Sequence, residues 1–431
     1  MRKIIFVWIC LFAVIPTRNA FSAGSGAYRL EVPDAEAMGM GAAFVAQADN
    51  PSAVYYNPAG LTQLKESRFY ASMGTAVVQP FCTYTDNAGN ETQRRKQIFN
   101  IPQGFFVSDF GLENFSFGIG ATSFWGLGTY WAQDSFSKYV ATKSDLITQD
   151  GMLSGAYKIN DNLSIGASAD IVKSLANKKK KLLQLGGSDG DFQLKGRDNG
   201  SWGWRLSTLY KLNEKHSFGL MYRSPVNLKY KGKVYLNDLN AAGLNYLAIF
   251  GAPSYETEVT SDSQLPQSFV VGYCFKPDER WRFELDMEWM DWSSVQEEKL
   301  NYPSEANPFR LMVLNTGNPV PKDWHGAFSY SLGTQFKVND RWKLRAGYFF
   351  HQTPIPEANF ETALPDSTSN SVTVGTGYSF TKNIGIDFAY AAMFYNRRDI
   401  DNDIGAGSGA SIDGKYESFN SIYMVTLNFK L

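Results

Sequence analysis

From Trp281 to Trp289 every second residue is apolar: Trp281, Phe283, Leu285, Met287 and Trp289. The residues between them are Arg282, Glu284, Asp286 and Glu288. Successive side chains of a strand point to opposite faces, so this segment predicts a strand with one apolar and one charged face. The chain ends on the same pattern, with Tyr423, Val425, Leu427, Phe429 and Leu431 set against Met424, Thr426, Asn428 and Lys430. It recurs at Phe328, Tyr330, Leu332 and Phe336, at Trp342 through Phe350, at Val372 through Phe380, and at Trp202 through Tyr210. A soluble sandwich also alternates, with its apolar face turned inward, so alternation alone leaves two architectures open.

The connections separate them. Short polar connections fall around Asp109–Asn114, Asn160–Asn162, Asn213–Lys215, Pro277–Arg280, Asn339–Arg341 and Thr381–Asn383. Long ones fall at about 81–96, 126–148, 177–199, 233–262, 293–322, 353–369 and 399–414. Short and long alternate strictly. Bacterial membrane barrels have an even number of strands, short turns on the periplasmic side and long loops outside. The expected fold is therefore all-β, a transmembrane antiparallel barrel of about fourteen strands. On that reading Leu285 faces lipid and Asp286 the lumen, so Leu285→Arg is expected to be damaging and Asp286→Arg much milder.

Composition agrees. The 431 residues include 23 Tyr, 31 Phe, 10 Trp and 38 Gly, and the mean hydropathy of −0.28 is too polar for a bundle of membrane helices. A formal net charge of −1 gives no reason to expect nucleic acid. At the N-terminus Arg2 and Lys3 precede an apolar run, Ile4 to Ile15, that Pro16 ends. The run is short for a spanning helix, and small residues follow it, so 1–22 is expected to be a signal peptide. Cleavage would fall after Ser22 or after Ala23. Cys10 leaves with it, and Cys82 and Cys274 fall near opposite barrel ends, too far apart for a disulfide.

Residues 23–65 do not alternate. They are rich in Ala and Gly, as in Met38-Gly39-Met40-Gly41-Ala42-Ala43, and they precede the first strand. A wide barrel leaves a lumen to fill, and a small-residue segment fits there as a hatch, with 66–431 forming the barrel. A disordered tail would be poorer in residues such as Phe44, Tyr55, Tyr56 and Leu61.

This segment carries the sharpest motif. Ala48 to Leu61, with Asn57-Pro58-Ala59-Gly60 inside it, resembles the N-terminal hatch of the FadL-type long-chain fatty acid transporters. Trp202-Gly203-Trp204, Tyr222-Arg223-Ser224-Pro225-Val226, Leu265-Pro266, Asp291-Trp292-Ser293 and Pro354-Ile355-Pro356 are similar to later parts of that family. The resemblance implies a fourteen-stranded outer-membrane barrel of a Gram-negative bacterium that acts as a monomer, without cofactor or energy coupling. It implies passive uptake of long-chain fatty acids or other aliphatic or aromatic hydrophobic molecules. Ligand would pass from an external groove to an inner pocket and, after a hatch movement, leave sideways at an inward kink of the third strand. Here that strand is Phe115–Trp125, and the kink region is Ser123, Phe124, Trp125 and Gly126, since Gly marks bends in strands. Asn57, in the rigid turn that Pro58 imposes, is expected to hold the backbone near this kink.

By the same resemblance the ligand carboxylate would meet the outer end of the fifth strand, where Lys180 stands within Lys178–Lys181, and the start of the tenth, at Lys322 and His325. A neutral His325 holds an anion less well than a lysine. The four lysines also fit a solvated loop or contacts with lipopolysaccharide phosphates. Arg205 falls on a non-lipid face and is a further candidate. Leu244, Tyr246, Leu247, Ile249 and Phe250 read as an apolar helix over the mouth, lining the capture groove. No catalytic or metal-ligating residues are expected: the chain has no Gly-x-Ser-x-Gly elbow, no phosphate loop and only His216, His325 and His351, widely scattered. The competing readings are a diffusion porin for polar solutes and an adhesion or structural barrel.

Overall fold

The computed structural model describes residues 26–30, 33–408 and 411–431. The expected signal peptide lies outside the described residues. Fourteen antiparallel strands close a barrel. The first six are Phe69–Thr85, Phe99–Ser108, Phe115–Thr122 resuming at Gly126–Tyr130, Lys143–Lys158, Leu163–Leu182 and Gly190–Lys211. The seventh and eighth are each in two pieces, His216–Arg223 with Val226–Asn237 and Tyr255–Leu265 with Ser268–Phe275. Trp281–Met290, Ala327–Lys337, Trp342–His351, Ser369–Ser379, Ile384–Tyr395 and Gly414–Lys430 complete the set. The first strand pairs with the second on one side and with the fourteenth on the other, from Tyr70↔Lys430 to Thr85↔Lys415, which closes the ring.

The alternation resolves with its apolar face outward. Leu285 is 51% exposed, whereas Asp286 beside it is 5% exposed. Buried charge and exposed hydrocarbon invert the arrangement of a soluble protein, and lipid is the solvent that makes it stable. Among the described residues no helix is long and apolar enough to cross a membrane.

The long connections gather at one end, but several are shorter than the pattern suggests. The fifth strand runs to Leu182 and the sixth starts at Gly190, paired as far as Leu182↔Gly190, so most of 177–199 is a tall hairpin. The first strand likewise reaches Thr85 and the seventh Asn237. Lysine-rich sequence reports a solvated face, and a ladder needs only a neighbouring backbone to continue beyond the lipid.

Residues 34–64 form short turns of helix, Ala35–Gly39, Ala53–Tyr56 and the 3-10 segment Pro58–Gln63, nearly all buried. They run against inward positions of the wall. A Cβ on Gly166 of the fifth strand would lie 2.3 Å from the Ala59 nitrogen, and one on Gly347 of the eleventh 2.2 Å from the Gly41 nitrogen. Only glycine allows this approach. Wall carboxylates hold the segment: Asp286 accepts from the Phe44 and Val45 amides at 2.8 and 3.0 Å, and Glu284 from those of Ala46 and Gln47 at 2.7 and 3.0 Å. Arg345 binds Glu36 at 2.9 Å, and Arg282 binds Asp49 at 2.9 Å.

Candidate functional site: an interrupted strand, an inner cavity and an outer groove

The third strand stops at Thr122 and resumes at Gly126. A continuous strand would send one of Phe124 and Trp125 outward, yet both are buried. They join an aromatic cluster: Phe124 meets Trp125 at 4.4 Å and Tyr55 at 5.3 Å, and Trp125 meets Trp292 at 5.6 Å. The Arg223 guanidinium lies 3.8 Å over the Phe124 ring. The freed backbone groups find partners within the barrel. Phe124 N–H donates to Asp150 at 2.9 Å, Ser123 Oγ to the Thr148 carbonyl at 2.6 Å, and Trp125 N–H to Thr148 Oγ1 at 3.3 Å. Tyr28 and Leu30, ahead of the helical turns, complete the set. Leu30 N–H donates to the Phe124 carbonyl at 2.8 Å, and Gly126 N–H to the Tyr28 carbonyl at 2.7 Å.

The bend parts the wall. The second strand pairs with the third only from Gly104 to Ser108, and the resumed piece Gly126–Tyr130 pairs with the fourth strand. Among the described residues no ladder joins 99–103 to the third strand. Pro102, which has no N–H to offer, lies in that stretch, which is laddered to the first strand but not to the third.

Beside the bend lies an inner cavity lined by Tyr28, Leu127, Leu146, Leu228, Leu265 and Trp324 among others. An outer groove lies above it, with Leu182, Leu185, Phe192, Leu236, Val313 and Leu314 in its walls. The two share Ser144, Lys178, Leu194, Glu298, Leu300 and Glu361, so one space leads into the other. Lys178 and Glu298 are ion-paired at this neck, as are Lys322 and Glu361, and Lys322 lies 3.6 Å from Glu298. Burial would raise the Glu298 carboxyl, but Lys178 and Lys322 outweigh it and hold it at about 2. Burial disfavours the Lys322 ammonium, and Glu361 and Glu298 more than offset that, raising it above the usual lysine value.

The structure distributes the residues singled out from the sequence. Lys180 lines the outer groove, its ammonium 5.6 Å over the Phe192 ring. Lys322 is buried at the inner cavity. His325 is exposed and lines neither space. Arg205 is enclosed in the wall, with Nε donating to Asp170 at 2.6 Å and Nη1 to the Tyr55 carbonyl at 2.7 Å, which leaves it a clamp on the N-terminal segment. Leu244 and Tyr246 line the outer groove. Phe250 is buried among Leu236, Val259, Tyr302 and Leu314, with Ile249 packed against that cluster. Leu247 belongs to the same helix, Tyr246–Phe250, and lines neither space.

Asn57 departs from expectation. Its amide donates to the Val45 carbonyl at 2.7 Å and to the Thr208 carbonyl of the sixth strand at 3.0 Å, not to the bend. Its Oδ1 accepts from Ala59 N–H at 3.1 Å, capping the 3-10 turn that Pro58 starts. Gly60 belongs to the same knot, since a Cβ there would sit 2.3 Å from the Ala48 oxygen. The bend is bridged by Tyr28 and Leu30 instead, which sequence reasoning had not singled out. Glu298 and Glu361 were also missed. They lie 63 positions apart in the chain (361 − 298), with no local motif to mark them. Cys82 and Cys274 are buried and free. Among the described residues no cluster of His, Cys, Asp and Glu could hold a metal ion.

A closed barrel with a lipid-facing apolar wall, a filled lumen and an apolar internal route defines an outer-membrane channel for hydrophobic molecules. The sequence profile of the family described as outer membrane protein transport protein (OMPP1/FadL/TodX) matches residues 18–431, and the chain belongs to that family. Its members are transport channels rather than enzymes, and they reside in the outer membrane of Gram-negative bacteria. The chain is 25% identical to the long-chain fatty acid transport protein of Escherichia coli K12, covering 88% of this chain and 90% of that one. It is 22% identical to outer membrane protein P1 of Haemophilus influenzae, covering 86% of each. A solved FadL homologue of Pseudomonas aeruginosa superposes with a TM-score of 0.78 at 18% identity, over 94% of this chain and 99% of that one. The Pseudomonas putida toluene transporter TodX gives 0.71 at 20% identity, over 95% and 99%.

Proposed function

We propose that this protein takes up long-chain fatty acids by passive diffusion and releases them sideways into the membrane under control of the N-terminal hatch. The observation that carries the reading is the contact of Tyr28 and Leu30 with the bend at Phe124–Gly126. It ties the N-terminal segment to the one place where the wall between second and third strands loses its ladder, beside an apolar cavity that opens upward into the groove. A hydrocarbon tail fits the apolar walls, and the cations Lys178, Lys180 and Lys322 along the route suit a carboxylate. The relative named a long-chain fatty acid transport protein supports the same ligand. Residues 34–64 in the lumen argue against an open porin.

A second reading, a neutral aromatic hydrocarbon, is favoured by one feature: Lys178 and Lys322 are already neutralised by Glu298 and Glu361. Native mass spectrometry of the purified barrel, followed by uptake assays with a labelled C16 fatty acid and with toluene, decides between them. Bound fatty acid and saturable fatty acid uptake are expected. Toluene uptake without fatty acid uptake would establish the second reading, and uptake of neither would refute both.

A further inference from the structure

We infer that the outward face of the sixth and seventh strands, above the lipid belt, is a docking site for the phosphorylated headgroup of lipopolysaccharide. The surface is built from Lys195 and Arg197 of the sixth strand and Lys229, Lys231 and Lys233 of the seventh, all exposed, with Lys173 of the fifth strand beside them. Their neighbours in sequence, Leu194, Leu228 and Val234, are buried on the opposite face, so the cations point away from the lumen. The site is therefore separate from the transport route and does not depend on the ligand proposed above.

The register makes the patch costly on its own. Arg197 stands directly opposite Lys231, and Lys195 opposite Lys233. Like charges facing across a ladder repel. The acids that relieve this lie to one side, on the eighth strand. Lys233 binds Glu256 at 2.6 Å, and Asp262 and Glu258 stand opposite Lys229 and Lys233. Among the described residues the other five cations form no ion pair. An anion with several oxygens set between the sixth and seventh strands would bridge both like-charged pairs, and guanidinium and ammonium groups suit phosphate.

The position selects a membrane lipid as the anion's source. On the same outward face of the sixth strand, Trp202 is 67% and Trp204 47% exposed. Such aromatics mark the interfacial girdle of a barrel. Arg197 precedes Trp202 by five positions, and across a bulge this is four register steps on the fifth strand, from Ile171 to Leu175, roughly 13 Å along a strand and about 9 Å in height after tilt. The cations thus stand just above the girdle at the long-loop end, which is the outer side in this class of barrel. In a Gram-negative outer membrane that level is occupied by the phosphorylated glycolipid of the outer leaflet. Fitting acyl chains against the apolar wall below would anchor the same molecule.

The test uses the full barrel in detergent, with lipopolysaccharide truncated to lipid A and its inner sugars as the probe, measured by native mass spectrometry. One-to-one binding that weakens with salt is expected. The double variant Arg197→Gln, Lys231→Gln should bind about tenfold more weakly, since it removes two charge-assisted contacts. The same glycolipid stripped of phosphate should bind the native protein as weakly as that. Glu258→Gln, which removes a competing charge, should bind more tightly and needs no loss of function to be read. Heat-modifiable migration checks that each variant is assembled. Equal binding by the double variant, equal binding of the dephosphorylated lipid, or no gain from Glu258→Gln overturns the assignment. Displacement by millimolar inorganic phosphate would also overturn it, by showing a site for free anions.

Discussion

Asp286 offers the sharpest test of how the N-terminal segment is held. The alternation alone makes it a lumen residue that tolerates change. The structure makes its Oδ2 the acceptor of two backbone N–H groups, from Phe44 at 2.8 Å and Val45 at 3.0 Å, in a buried site. Hydrogen bonds to a charged group contribute about 1.5–3 kcal/mol each, so Asp286→Ala forfeits about 3–6 kcal/mol locally. Glu284 still holds Ala46 and Gln47, so the loss falls on local opening and not on the barrel. Taking the lower figure, amides 44 and 45 should exchange roughly a hundredfold faster, because opening is more favourable by about 3 kcal/mol. Hydrogen exchange of peptides spanning 42–48, read in lipid nanodiscs, measures this. Leu285→Arg serves as the contrast. It should destabilise the barrel by about 2–4 kcal/mol in vesicle-folding titrations while leaving exchange at 44 and 45 unchanged. Asp286→Arg, mild by pattern, should be as damaging to the seating of the segment as Asp286→Ala. Exchange at 44 and 45 no faster in Asp286→Ala than in the native protein would falsify the anchoring argument.

Other predictions follow from the route and its neck. Asn57→Ala loses the ties to Val45 and Thr208 and should lower fatty acid uptake per assembled barrel, with heat-modifiable migration intact; a fall only in the amount of assembled protein would reduce Asn57 to a folding role. Gly126→Trp should block the wall gap and abolish uptake with ligand still bound, and normal uptake would exclude the sideways exit. Glu361→Gln removes the nearer of the two carboxylates paired with Lys322, leaving Glu298 at 3.6 Å, and should tighten binding of a fluorescent fatty acid about tenfold while leaving toluene unaffected. Glu298 is held at about 2, below its unfolded value of about 4.3. Its contribution to loop stability is therefore complete above that unfolded value and lost as pH falls through about 2. Protease protection of 293–322 should persist at pH 5 and fail near pH 2, and failure already at pH 5 would contradict the pairing.

Strand identity, the outward apolar face and the end that carries the long connections were all legible in the sequence, because period-two alternation and turn residues are local properties of the chain. The break at Ser123–Gly126 was marked by glycine for the same reason. Tertiary structure alone decided which partners meet across the lumen. Asn57 was expected at the bend and instead clamps Val45 to the sixth strand, while Tyr28 and Leu30 bridge the bend. Arg205 was a candidate for ligand carboxylate and is instead bound to Asp170 and Tyr55. Glu298 and Glu361 meet Lys178 and Lys322 only because two loops fold over one neck. Closure of the ring sets these encounters. It brings together residues hundreds of positions apart, at distances that depend on strand count, stagger and the path of the enclosed segment, and no window of sequence contains those quantities.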